Sequence, residues 1–118
     1  MISSVATRSL GSHGAPYNMG KTAMEALAYT LAKEERAHGI RVNIVAPGLV
    51  DTDMGQRLIN AVQGVEDIRT LDESMPFGRV CQPEDVANVV RFLVGEQNSY
   101  LTGERLYCDG GGQALGRV

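Results

Sequence analysis

Tyr17 and Lys21 stand four residues apart in a run of helix-forming residues, so their side chains project from one helical face within reach of a shared ligand. A free phenol loses its proton near pH ~10, and a neighbouring ammonium lowers that value by stabilising the phenolate. Each pKa unit is worth about 1.4 kcal/mol, so a shift of two or three units asks roughly 3–4 kcal/mol of charge, hydrogen bonding and environment together. A tyrosine so tuned gives a proton to a carbonyl oxygen or takes one from an alcohol. Ser4 lies thirteen residues before Tyr17, at an apparent strand end, and its hydroxyl is placed to return to the helix entrance and bond the same substrate oxygen. The plain alternative for the pair is a surface tyrosine beside a surface lysine.

The elements that must position these groups are legible in order. Ile2 reads as a strand end running into a loop of small and polar residues through Ser12, with Gly11, Gly14 and Pro16 as breakers. From about Tyr17 to Ala37 the spacing of Ala23, Ala26, Leu27, Thr30 and Leu31 predicts a helix, closed by His38 and Gly39. Ile40 to Ala46 is β-branched and apolar, the pattern of a strand covered on both faces of a parallel sheet, and Pro47-Gly48 breaks it. Thr52 follows shortly, at the carboxyl edge where open parallel sheets bind ligands. Asp53 to Met75 carries a weaker helical pattern interrupted at Gly64, which suits a mobile flap of one or two helices. Pro83-Glu84-Asp85 starts a further helix whose apolar stripe is Val86, Val89, Val90, Leu93 and Val94 and which faces a core. Glu104 to Cys108 reads as a last short strand. Strand, helix, strand, helix, strand implies an α/β chain with right-handed crossovers and helices packed on a parallel sheet.

Composition limits the function classes. The 118 residues fall at the size of one domain, 43% apolar and 21% charged, with a formal net charge of −3 and eleven scattered Lys and Arg. Without a basic stripe, nucleic acid is not an expected partner. No run approaches membrane-spanning length and Met1-Ile2-Ser3-Ser4 is no signal peptide, so a soluble, cytoplasmic chain is expected. Cys81 and Cys108 lie far apart in sequence without any Cys-x-x-Cys or Cys/His grouping, which predicts reduced, partly buried thiols and no metal site. His13 reads as a loop residue, with a substrate-pocket role as its alternative.

Several segments resemble the short-chain dehydrogenase/reductase family. They are Ser3 to Ala6, Tyr17-Asn18-Met19-Gly20-Lys21, Ile40 to Met54 with its Pro47-Gly48-Leu49-Val50-Asp51-Thr52, Pro76-Phe77-Gly78-Arg79, Pro83 to Ala87, Tyr100 to Gly103 and Asp109-Gly110-Gly111. The resemblance spans the chain and implies the C-terminal, catalytic half of a doubly wound, Rossmann-like domain, residues 1–118 forming one partial domain. It implies an oxidoreductase that interconverts a small-molecule alcohol and carbonyl with NAD or NADP. Tyr17 is then the general acid/base, Ser4 steadies the reacting oxygen, and Lys21 lowers the tyrosine pKa and holds the nicotinamide ribose. The Pro47-Gly48 turn, the Val50 backbone and the Thr52 hydroxyl bind the coenzyme's carboxamide end. The resemblance also makes 53–75 the substrate flap and the last helix and strand an interface of a homo-oligomer, a dimer or tetramer. Gly20 departs from the family, which usually has serine there.

The resemblance begins within a strand, so the Gly-rich turn that cradles pyrophosphate and the residue that selects NAD or NADP are expected to be missing. A truncated chain, or one piece of a split protein, is implied, with coenzyme affinity far below that of a complete member. The tempting alternative cradle, Asp109-Gly110-Gly111-Gly112, is set aside because only Gln113 to Val118 follow, with no helix to offer amide groups. A competing reading is a non-catalytic oligomerisation module derived from the same family. A hydrolase using Ser4 or Ser12 lacks the Gly-x-Ser-x-Gly elbow.

Overall fold

The computed structural model describes residues 1–112. Its elements are α1 (Ala6–Ser9), α2 (Ala15–Glu35), β1 (Ile44–Pro47), α3 (Asp53–Gln63), α4 (Pro83–Val94) and β2 (Arg105–Cys108), with 3₁₀ turns at Arg36–His38, Ile68–Ser74 and Pro76–Gly78. The expected α/β order is present, and β1 and β2 pair in parallel with Ile44 opposite Arg105 and Pro47 opposite Cys108.

The first expected strand is reduced to a parallel bridge between Ile2 and Val45. It still carries ladder-type bonds, Ser3 N–H to Val45 O at 2.7 Å, Val45 N–H to Met1 O at 3.0 Å and Val5 N–H to Pro47 O at 3.0 Å. β1 therefore lies between two neighbours, and Ile44, Val45 and Ala46 are at most 2% exposed. That burial accounts for the unbroken apolar run in its sequence.

Three expectations are corrected. The second strand starts at Ile44 and not Ile40, because the backbone before it is spent elsewhere: Val42 N–H donates to Thr102 Oγ1, its carbonyl accepts from Gly103 N–H, and the Asn43 amide spans Leu101 O and Glu104 N–H. The loop after Ile2 holds the one-turn helix α1, closed by Leu10 in left-handed conformation. On α4 only Leu93 of the stripe is buried; Val86, Val89 and Val90 are half-buried and Val94 is 72% exposed. The absence of a helix after Gly112 concerns residues outside those described.

Local chemistry explains the helix ends. Thr52 caps α3 by accepting from Gly55 N–H at 3.0 Å, and Gly64, at φ +69°, closes it in a conformation that side chains with a Cβ resist. Asp85 accepts from Gln82 N–H at 2.8 Å at the start of α4. Arg41 donates to Leu93 O at the other end at 2.6 Å, and buried Asn98 donates to the same carbonyl. Ile59, Ile68 and Val80 are buried together, with Leu49, Val65, Leu71 and Met75 packed on them. The 53–75 segment thus shares a small core with Val80 and is fastened to the turn after β1 through Leu49. Among the described residues no helix is long and apolar enough to cross a membrane.

Candidate active site

Parallel pairing brings the carboxyl ends of all three chain segments to one rim: Ser4 after Ile2, Gly48 to Thr52 after β1, and Asp109 to Gly112 after β2. α2 enters this rim at its N-terminus, with Pro16 in the first turn, where its missing N–H costs nothing. Asn18 Nδ2 holds the entrance loop by donating to Gly11 O at 3.2 Å.

Tyr17 is 49% exposed, and the Lys21 ammonium lies over its ring, 5.7 Å from the centroid. Lys21 Nζ also donates to Ile2 O at 3.0 Å, which ties the helix to the strand end and leaves two ammonium protons for other acceptors. Ser4 is half-buried; its Oγ accepts from Ala6 N–H at 3.1 Å. Among the described residues no hydrogen bond joins Ser4 to Tyr17 or to Lys21, so the structure pairs Tyr17 with Lys21 directly and reaches Ser4 only through its neighbours.

The turn after β1 is held at both ends. Pro47 is buried in β1, Gly48 N–H donates to Cys108 O at 3.0 Å, and Asp51 N–H donates to Cys81 O at 2.8 Å beside the Val50–Cys81 bridge. The exposed Thr52 hydroxyl approaches Val50 O at 3.4 Å while capping α3. Both cysteines are free and half-buried. Burial, followed by the adjacent Cys108, pushes the Cys81 thiol up to about 12. His13 sits exposed in the entrance loop at φ +62°.

Sequence reading missed a charged network behind the rim. Glu25 is only 4% exposed. Its Oε1 accepts from the hydroxyls of Ser3 and, at 2.8 Å, Thr7, and its Oε2 from Arg105 at 2.6 Å. Burial raises its pKa, but the bonds from Ser3, Thr7 and Arg105 and the Arg105 charge outweigh that and hold the carboxyl below its ordinary value. Arg105 and Arg8 flank the Tyr107 ring at 5.0 and 4.5 Å, and Arg8 pairs with buried Asp109 at 3.4 Å. The available signal was spacing: Glu25 continues the four-residue step from Tyr17 through Lys21. Beyond the 53–75 segment Arg79 grips Asp85 through two bonds, of 2.6 and 2.9 Å, and holds that carboxyl down to about 2.

A nicotinamide coenzyme's ribose and carboxamide need a cation or hydroxyl donors and a backbone edge, and Lys21, the Thr52 hydroxyl and the Val50 backbone are groups of that chemistry. These residues fit that end of the coenzyme. For pyrophosphate the fit fails: among the described residues no glycine-rich turn runs from a strand into a helix N-terminus.

Comparison with known proteins gives consistent matches. A family model described as enoyl-(acyl carrier protein) reductase matches residues 1–113. The chain is 44% identical over 97 residues to a 3alpha-hydroxysteroid dehydrogenase of Mediterraneibacter gnavus, covering 82% of this chain and 37% of that protein. It is 39% identical over 111 residues to human dehydrogenase/reductase SDR family member 4, covering 94% of this chain and 39% of that protein. Among solved structures, ElxO with NADP bound superposes with a TM-score of 0.76 at 32% identity, over 93% of this chain and 44% of the other. The chain therefore spans less than half the length of these relatives.

Proposed function

The chain belongs to the short-chain dehydrogenase/reductase family, whose members use NAD or NADP, and from that premise we propose that it interconverts an alcohol and a carbonyl of a small molecule. Tyr17 is the general acid/base. The observation that carries the reading is the Lys21 ammonium lying over the Tyr17 ring while bonded to the strand end that leads into Ser4.

The residues divide the work. The exposed Tyr17 hydroxyl gives its proton to a substrate carbonyl oxygen, or takes one from an alcohol. Lys21, lying over the Tyr17 ring, offers its free ammonium protons to a ribose hydroxyl. Ser4 Oγ, already accepting from Ala6 N–H, directs its own proton toward the substrate oxygen and fixes that oxygen's position. Lys21, the Pro47-Gly48 turn, Val50 and Thr52 hold the nicotinamide end, and the bound coenzyme supplies or accepts the hydride. The 53–75 segment forms the substrate wall, and the assembly is a homodimer or homotetramer. A second reading, a non-catalytic oligomerisation module, draws on the exposed Met19 and Leu27 of α2 and Phe92 and Val94 of α4.

Titration calorimetry with NADH and NADPH, beside turnover on a carbonyl and alcohol panel, separates the two. The expected outcome is coenzyme binding and turnover that Tyr17→Phe cuts by roughly 10²-fold or more without loss of fold. A stable oligomer without coenzyme binding or turnover favours the module, and full activity in the Tyr17→Phe protein refutes the assigned role.

A further inference from the structure

We infer that Glu25 is the positioning residue that sets Ser4 against Tyr17 and Lys21, gripping the chain on both sides of the serine. This rests on the proposed role of Ser4. Tyr17, Lys21 and Glu25 follow at four-residue steps along one face of α2, so a single rigid element carries all three. Lys21 holds Ile2 O, and Glu25 Oε1 holds the hydroxyls of Ser3 and Thr7. Ser4 lies between those anchors. Its carbonyl accepts from Thr7 N–H at 3.2 Å, and its hydroxyl accepts from Ala6 N–H. Any shift of the Ser3–Thr7 turn along α2 therefore moves Ser4 Oγ relative to the Tyr17–Lys21 pair.

The chemistry requires a carboxylate. Ser3, Thr7 and Arg105 all approach Glu25 as donors, and only an ionised carboxyl accepts from all three. An amide of the same shape turns its NH₂ either toward the Arg105 guanidinium, donor against donor, or toward the hydroxyls, which must then reverse. Arg105 contributes the charge that keeps a buried carboxylate ionised, and because it stands on β2 it also fastens α2 to the sheet.

The test compares wild type, Glu25→Gln and the double variant Ser3→Ala/Thr7→Val by amide hydrogen exchange. In both variants the amides of Ser3, Val5 and Ala6 should exchange at least tenfold faster, while those of α4 and the Ile44 ladder keep their rates. In turnover, Glu25→Gln should lower kcat about tenfold with coenzyme KM within twofold, and adding Ser3→Ala/Thr7→Val should lower it no further. Unchanged exchange at Ser3 to Ala6 in Glu25→Gln overturns the inference, as does an equal acceleration throughout the chain or a fully additive kinetic loss. Ser4→Ala keeps the failures apart: full turnover in that variant sinks the proposed role of Ser4, whereas the exchange result still decides whether Glu25 holds the turn.

Discussion

Replacing Gly55 with alanine is expected to damage the rim through a contact that has no room to relax. Gly55 is buried in the first turn of α3, and a Cβ there would lie 2.0 Å from Val50 O, 3.2 Å from Val50 C and 3.3 Å from Thr52 Oγ1. Real Cβ contacts stay beyond 3.0 Å, so the helix start and the Val50 carbonyl must part by about 1 Å. Both sides of that contact are backbone, which cannot rotate away as a side-chain tip would. Overpacking of this kind costs ~1–3 kcal/mol. For a chain of this length that lowers Tm by about 4 °C per kcal/mol. Because Val50 and Thr52 belong to the proposed coenzyme rim, a misplacement of this size should also lower kcat/KM by roughly 10²-fold. Gly20→Ala is the matched control: nothing lies within 4 Å of its Cβ, and alanine in a helix interior gains ~1 kcal/mol over glycine. Thermal melts by circular dichroism and steady-state kinetics read both variants. A Gly55→Ala protein that melts and turns over like wild type refutes the packing argument.

Other outcomes follow from the same structure. Ile68→Ala removes a side chain 2% exposed in the core it shares with Ile59 and Val80 and should cost about 2–5 kcal/mol, read as a lower urea midpoint. Glu25 has a folded pKa below its ordinary 4.5, so the stability it contributes is present above that ordinary value and lost as pH falls through the folded one. Urea midpoints measured from pH 7 downward should show this loss in wild type and less of it in Glu25→Gln; matching slopes would exclude the linkage. With its thiol pushed up to about 12, Cys81 should be alkylated at pH 8 roughly a hundredfold or more slowly than a free cysteine, and rapid labelling seen by mass spectrometry would contradict the raised thiol.

What the amino-acid order determined by itself was everything governed by local period. A four-residue step places Tyr17 beside Lys21 on one helical face whatever the helix packs against, and the unbroken apolar run at Ile44 to Ala46 demands cover on both sides. Alternation of helix and strand then puts Ser4, Gly48 and Asp109 on one rim, because parallel strands share a carboxyl edge. The family's motifs were legible for the same reason. Tertiary structure alone decided which groups meet across long loops. Glu25 and Arg105 lie eighty residues apart, and neither position announces that a buried carboxylate will be shared among three elements. Asn43 and Thr102 divert the backbone that strand propensity had assigned to a sheet, and Val94 continues an apolar stripe into solvent. Periodicity records which way a side chain faces from its own element; it carries no information about what stands opposite, because that depends on how distant segments close on one another.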